Sequence, residues 1–267
     1  MEFEMLILGA SPYFSEDSIE SIANDVKAML RSGRLTDGPY AQEFERRFAE
    51  YHQIKHAVAV SSGSSALDVA LAYYKLEGAE VIVPTNTFIS DPNAVLLAGG
   101  RPVFADMNPD TLGIDVEDVK RKVSPNTKGV IVVHIAGLVC PQIKELKDFC
   151  SEKGLFLLED CAHAHGASLD DQKAGTFGDV GCFSFYPTKV MTACEGGMVI
   201  TNNKELVEEA KCLRTCGQNM ERAMVALGHN WRMSELSAIV GKNQLEHLDE
   251  FIDKRNHVAG QYEAMLS

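Results

Sequence analysis

The chain lacks any run of the ~18–20 consecutive apolar residues that a membrane-spanning helix needs. It also lacks a Cys-x-x-Cys pair, an internal repeat, a low-complexity tract and a Ser/Gly-rich linker. Each absence removes a class of protein. Seven cysteines, at 140, 150, 161, 182, 194, 212 and 216, are odd in number and irregularly spaced, so neither a disulfide framework nor a zinc ribbon is expected. Most sit among apolar neighbours and read as small core residues. Basic charge is in deficit, with 25 Lys+Arg against 38 Asp+Glu and a net charge of −13. Nothing therefore steers the chain toward nucleic acid or an anionic membrane, although local groups could hold one small anion. The start, Met1-Glu2-Phe3-Glu4, lacks the positive charge of a secretory signal, and a cytoplasmic address is expected.

What is present is ordinary for a globular protein: 267 residues, 45% hydrophobic and 24% charged. That length suffices for one large α/β domain or two smaller ones. Short β-branched runs alternate with amphipathic stretches. Strands are predicted at Ala57–Val60, Glu80–Val83, Pro102–Ala105, Gly129–His134, Leu155–Leu158, Asp179–Phe185 and Gly197–Thr201. Helices are predicted at Ser65 to about Lys75, Asp91–Ala98, Gln142–Lys153, Lys204–Cys216 and from Met233 onward, with Pro92 tolerated in a first turn. This alternation predicts a mostly parallel sheet between helical layers, with function just beyond the carboxyl ends of its strands.

Four segments follow strands and carry chemistry. Ser61-Ser62-Gly63-Ser64-Ser65 opens a helix, where free N–H groups and hydroxyls suit a phosphate, or where a plain N-cap would serve. Neither Gly-x-Gly-x-x-Gly nor Gly-Lys-Ser/Thr occurs. Phe88, after the second strand, is either a core aromatic or a ring that stacks on a flat ligand. Glu159 and Asp160 end an apolar strand, and burying them requires a partner. Either Cys161, His163 and His165 join Asp160 around a metal, or one carboxylate meets a cationic heterocycle while a His orients another part of it. Lys189 follows an aromatic run. It is either an amine primed for Schiff-base chemistry by its apolar setting or a surface lysine.

Taken together and in order, these segments resemble the DegT–DnrJ–StrS family of sugar aminotransferases, pyridoxal 5′-phosphate (PLP) enzymes of fold-type I. The resemblance starts at Gly33-Arg34-Leu35-Thr36-Asp37-Gly38-Pro39, with Phe44-Glu45 and Phe48-Ala49. It continues through Ser62–Leu67, Glu159–His163, Ser184-Phe185 before Lys189, and Leu227–Glu235 with Gln244-Leu245. It implies a three-layer α/β/α sandwich with a mostly parallel sheet, and two catalytic residues. Lys189 would hold PLP as a Schiff base and move protons at the substrate carbon. Asp160 would pair with the pyridinium nitrogen and keep the ring an electron sink. His163 would stand near the phenolic oxygen and Phe88 would stack on the ring. Gly63, Ser64 and Ser65, with Ser184, would hold the phosphate. Asn230 would reach that phosphate from a second subunit, implying a homodimer with shared active sites.

The implied reaction moves an amino group from an amino acid, glutamate being expected, to a keto-sugar nucleotide, in polysaccharide or secondary-metabolite sugar synthesis. Some relatives with another residue at the lysine position are dehydratases, and Lys189 favours the aminotransferase. The alternatives are a PLP-binding regulatory protein without turnover, or a metal-binding protein using Cys161, His163 and His165. Two departures stand out. Cys194 occupies a position where relatives commonly carry Gly, and the chain ends at Ser267, within or just past the helix leading to a small domain. The expected organisation is an N-terminal arm and helix over 1–33, a PLP-binding large domain over 34–250, and at 251–267 the start of a linker helix toward a truncated C-terminal domain.

Overall fold

The computed structural model describes residues 10–266. The acidic start and the first residues of the expected arm lie outside the described residues. Helix α1 (Glu16–Ser32) is capped by Ser15, whose side chain accepts from Ser18 N, and ends at Gly33 with φ 69°. Helix α2 (Pro39–Tyr51) and strand β1 (His56–Val60) follow, then α3 (Gly63–Tyr73), β2 (Glu80–Pro84), α4 (Ser90–Leu97) and β3 (Arg101–Ala105). Next come α5 (Val116–Lys122), β4 (Thr127–Val133), α6 (Ile143–Lys153), β5 (Phe156–Asp160) and a two-residue hairpin pair, β6 (Ser168–Leu169) and β7 (Gln172–Lys173). Strands β8 (Val180–Ser184) and β9 (Gly197–Thr201) precede α7 (Lys204–Arg214), α8 (Glu235–Glu246) and α9 (Leu248–Leu266).

Seven strands form one sheet in the order β1-β9-β8-β5-β4-β2-β3. All run parallel except β9, which pairs antiparallel with β1 and β8. Side chains alternate across this sheet, so each strand feeds two cores. Ala59, Val130, Val132, Leu157 and Phe183 pack with Phe44 and Phe48 of α2, Ile143 of α6 and Ala238 of α8. On the other face, Val58, Val81, Ile131, Leu158 and Val199 pack with Leu67 and Leu71 of α3, Val95 of α4 and Leu206 of α7. The result is the expected three-layer α/β/α sandwich.

Most boundaries shift by one or two residues from the sequence reading, and three of the differences have a clear structural cause. Strand β5 runs on through Glu159 and Asp160 rather than stopping at Leu158, because both carboxylates have partners that make burial tolerable. The helix expected to run on from Met233 is broken at His247, which separates α8 from α9. Helix α7 stops at Arg214, whose guanidinium is held by Glu45 of α2 and Ala59 O of β1. Among the described residues no helix is long and apolar enough to cross a membrane.

Candidate active site

A cavity of about 420 Å³ opens at the carboxyl ends of β1, β4, β5 and β8, where the parallel strands deliver their following loops to one place. Its floor is decided by two adjacent carboxylates with opposite orientations. Glu159 points away from the cavity and is fully enclosed, accepting from Gly175 N at 2.8 Å, Gly178 N at 2.6 Å and His134 Nε2 at 2.8 Å. His134 Nδ1 accepts from Cys140 N at 3.2 Å, so the proton on this ring sits at Nε2 and the imidazole is neutral. Asp160 points into the cavity. One oxygen accepts from Ala162 N at 2.8 Å, and burial holds the carboxyl above the usual carboxylate range, opposed by that N–H and by His163 and Lys189.

The extended Cys161–His165 segment that a metal would require is not formed. The chain turns at Cys161 and again at Ala164, which bury Cys161 and His165 and leave only His163 at the cavity. Among the described residues, the one group of potential ligands close enough to share an ion is His134, Glu159 and Cys161. The hydrogen bonds just given already engage both ring nitrogens and both carboxylate oxygens, so these residues form a structural anchor rather than a metal centre.

At the start of α3 the cap and the anion site divide the serines between them. Ser62 and Ser65 make a reciprocal capping box: Ser65 N donates to Ser62 Oγ at 3.0 Å, and Ser62 N donates to Ser65 Oγ at 2.9 Å. Ser65 is buried and does not line the cavity. Gly63 and Ser64 do line it, and as the first two helical residues their N–H groups have no acceptor within the helix. A Cβ at Gly63 would lie 2.6 Å from Ser184 Cβ, so only glycine lets β8 and α3 close on this side. The Ser184 hydroxyl stands opposite, and Ser64 Oγ meets Ser90 Oγ at 2.7 Å.

Lys189 sits in the turn after β8, its N–H on Tyr186 O at 2.9 Å, and lines the same cavity. Partial burial lowers its pKa, with Asp160 opposing that shift. His163 Nδ1 accepts from Ala136 N at 3.2 Å, leaving Nε2 as the donor, and its pKa is lowered by burial and by Lys189. Phe88 is 70% exposed at the rim, so it is not a core aromatic. Asn230 is exposed, bridges to Thr215 and does not line this chain's cavity. The sequence reading passed over Ser90, Tyr186, Thr188 and Glu195, which also line the cavity, and Asp91 behind it. The one sequence signal for Asp91 was an acid in the first turn of a helix that follows a strand.

These features can be set beside known proteins. The model of the DegT/DnrJ/EryC1/StrS aminotransferase family matches residues 16–267. GDP-perosamine synthase of Vibrio cholerae is 42% identical over 237 residues, covering 86% of this chain and 63% of that one. The chain thus spans about three-fifths of the length of the curated relatives it matches. Among solved structures, Helicobacter pylori PseC, an aminotransferase involved in the biosynthesis of pseudoaminic acid, superposes with a TM-score of 0.90 at 27% identity, over 97% of this chain and 70% of that one. Streptomyces venezuelae (S. venezuelae) DesV, in complex with a ketimine intermediate, does so with a TM-score of 0.90 at 32% identity, over 97% and 72%.

Proposed function

The chain belongs to the DegT/DnrJ/EryC1/StrS aminotransferase family, which depends on PLP, and from that membership we propose that it moves an amino group from glutamate to a keto-sugar carried on a nucleotide. The observation that carries this reading is the convergence of Asp160, Lys189 and the open start of α3 on one cavity. The nucleotide sugar in the name of the Vibrio cholerae relative supports the substrate class.

The residues present fit the cofactor. Gly63 and Ser64 offer N–H groups and, with Ser184, hydroxyls, a donor set suited to a phosphate. Asp160 faces the cavity with an oxygen beyond the one that Ala162 engages. When bound, PLP supplies a carbonyl carbon that amines attack and a protonated ring that accepts electrons from the breaking bond. Everything else falls to the chain. Asp160 holds the proton on the ring nitrogen. Lys189 Nζ, readied by a lowered pKa, first holds the cofactor and then takes and returns a proton at the substrate carbon. His163, with Nε2 as its donor, would hold the cofactor's phenolic oxygen, and Phe88 would stack on its ring. Residues 34–250 form the cofactor-binding domain in this reading, and two copies associate so that Asn230 of each completes the other's phosphate site.

The test begins with purified protein and added PLP. A visible absorbance band should appear, vanish on borohydride treatment and leave the reduced cofactor on the peptide containing Lys189. Lys189→Ala should form no such band while unfolding at the same urea concentration as the parent. Glutamate should bleach the band, and a panel of nucleotide-linked keto-sugars should restore it. Reduced cofactor on another lysine would refute the role of Lys189, and a band indifferent to amino acids would refute transamination.

A further inference from the structure

Behind Asp160 lies a second carboxyl that the site as described does not use. Asp91, on the first turn of α4, is fully buried. Its Oδ2 accepts the hydroxyl of Thr87. Its Oδ1 is enclosed and has no hydrogen-bond partner among the described residues. That side chain lies within hydrogen-bonding reach of the Asp160 carboxyl. Two ionised carboxylates are both acceptors, so the contact becomes a bond only if one of them carries a proton.

The surroundings decide which one. Asp160 has the N–H of Ala162 and the nearby amine of Lys189 to stabilise its charge. Asp91 has the Thr87 hydroxyl and the end of an eight-residue helix, and no cation acts on it. The other titratable groups close to the pair are Cys182 of β8, itself buried, and beyond it Asp68 and Glu159, none of which favours a further negative charge. The proton therefore belongs to Asp91. Burial and the Asp160 charge raise its pKa well above the carboxylate range, in line with this geometry.

We propose that Asp91 is a positioning residue: its neutral carboxyl accepts from Thr87 and donates its proton to Asp160, fixing the carboxylate that faces the cofactor's ring nitrogen. This rests on the reading of the cavity as a PLP site. Sharing the Asp160 charge with an O–H donor weakens that carboxylate as a base. The strength with which the ring proton is held then depends on a residue that touches neither cofactor nor substrate.

Two measurements test it. In cofactor-free protein with carbon-13-labelled aspartate carboxyls, one signal should keep the shift of a protonated acid at neutral pH, disappear in Asp91→Asn and persist in Asp160→Asn. Ionisation of every carboxyl at neutral pH, or survival of the signal in Asp91→Asn, would overturn the proposal. In PLP-loaded protein, the pH at which the visible band titrates should move by about one unit or more in Asp91→Val. Asp91→Asn, which still presents an N–H to Asp160 and an oxygen to Thr87, should restore most of that shift. Equal shifts in both variants, or none in Asp91→Val, would remove the positioning role while leaving the PLP site intact. Absence of any band in the parent protein would instead sink the reading of the cavity, and with it this role.

Discussion

Cys194 has φ 65°, in the left-handed region that side chains other than glycine enter at a cost of about 1–2 kcal/mol. Its N–H is held by Thr192 Oγ1 at 3.0 Å, and the loop it bends carries Glu195 to the cavity. The backbone angle that glycine would adopt freely is thus kept with a cysteine in place. Cys194→Gly should relieve this strain, partly offset by the greater freedom of glycine in the unfolded chain, for a net gain of about 0.5–1 kcal/mol in urea unfolding. A loss of stability would mean that the exposed thiol makes a contact worth more than the strain. The same arithmetic of small and large effects governs Asp91. A helix end favours an ionised acid by about 0.3–1 kcal/mol. The charge of a neighbouring carboxylate opposes it more strongly, by about 4 kcal/mol for a generic pair ~4 Å apart at an effective dielectric near 20. Repulsion outweighs the helix end, which is why the proposed pairing leaves the proton on Asp91.

Helix α2 begins without a side-chain cap of its own, because Gly38 occupies the cap position. The missing acceptor comes from α8. Buried Glu235 takes the N–H groups of Gly38 at 3.1 Å, Tyr40 at 2.9 Å and Ala41 at 3.0 Å, while its own N–H reaches Leu35 O at 3.0 Å. A Cβ on Gly38 would stand 2.7 Å from Glu235 Oε2, so the glycine and the glutamate require each other. Glu235→Ala leaves several enclosed donors unpaired at about 1–3 kcal/mol each, and an overall loss of about 3 kcal/mol or more is expected. Glu235→Gln, which keeps one accepting oxygen, should lose less. Equal urea midpoints for the two variants would show that the cap is not what matters. The elements themselves were legible in the sequence, since β-branched runs and helical periodicity report local burial. The partnership of Gly38 with Glu235 was not, because its halves lie 197 residues apart. The same holds for Glu159 and Asp160. Their burial was readable as a demand for partners, but only the alternation within β5 assigns one to a structural anchor and the other to the cavity.

At the scale of the molecule, Asn230, which the resemblance gives to a second subunit's site, does not line this chain's own cavity. The sequence could associate Asn230 with the site only through resemblance, and the fold explains why. Its segment lies beside α3, with Ser61 N on Trp231 O at 2.8 Å and His229 near Asp68, yet Asn230 faces outward. The loop before it exposes Met220, Met224, Val225 and Leu227, Phe88 is exposed at the rim of the cavity, and Ile89, Leu96 and Leu97 are exposed at the two ends of α4. Apolar surface of this kind next to a site is what a second copy would cover. If Asn230 of each subunit serves its partner's phosphate, Lys189→Ala and Asn230→Ala damage different sites of a mixed dimer. One site then carries both defects and the other carries neither. Mixing the two inactive variants should return up to about half of the parent activity per heterodimer, since one of two sites is whole. Were Asn230 to act within its own subunit, each site of the heterodimer would carry one defect and activity would stay lost. Light scattering and mass analysis of tagged subunits must confirm that heterodimers formed. A monomeric parent protein, or verified heterodimers without activity, would remove Asn230 from the partner's site.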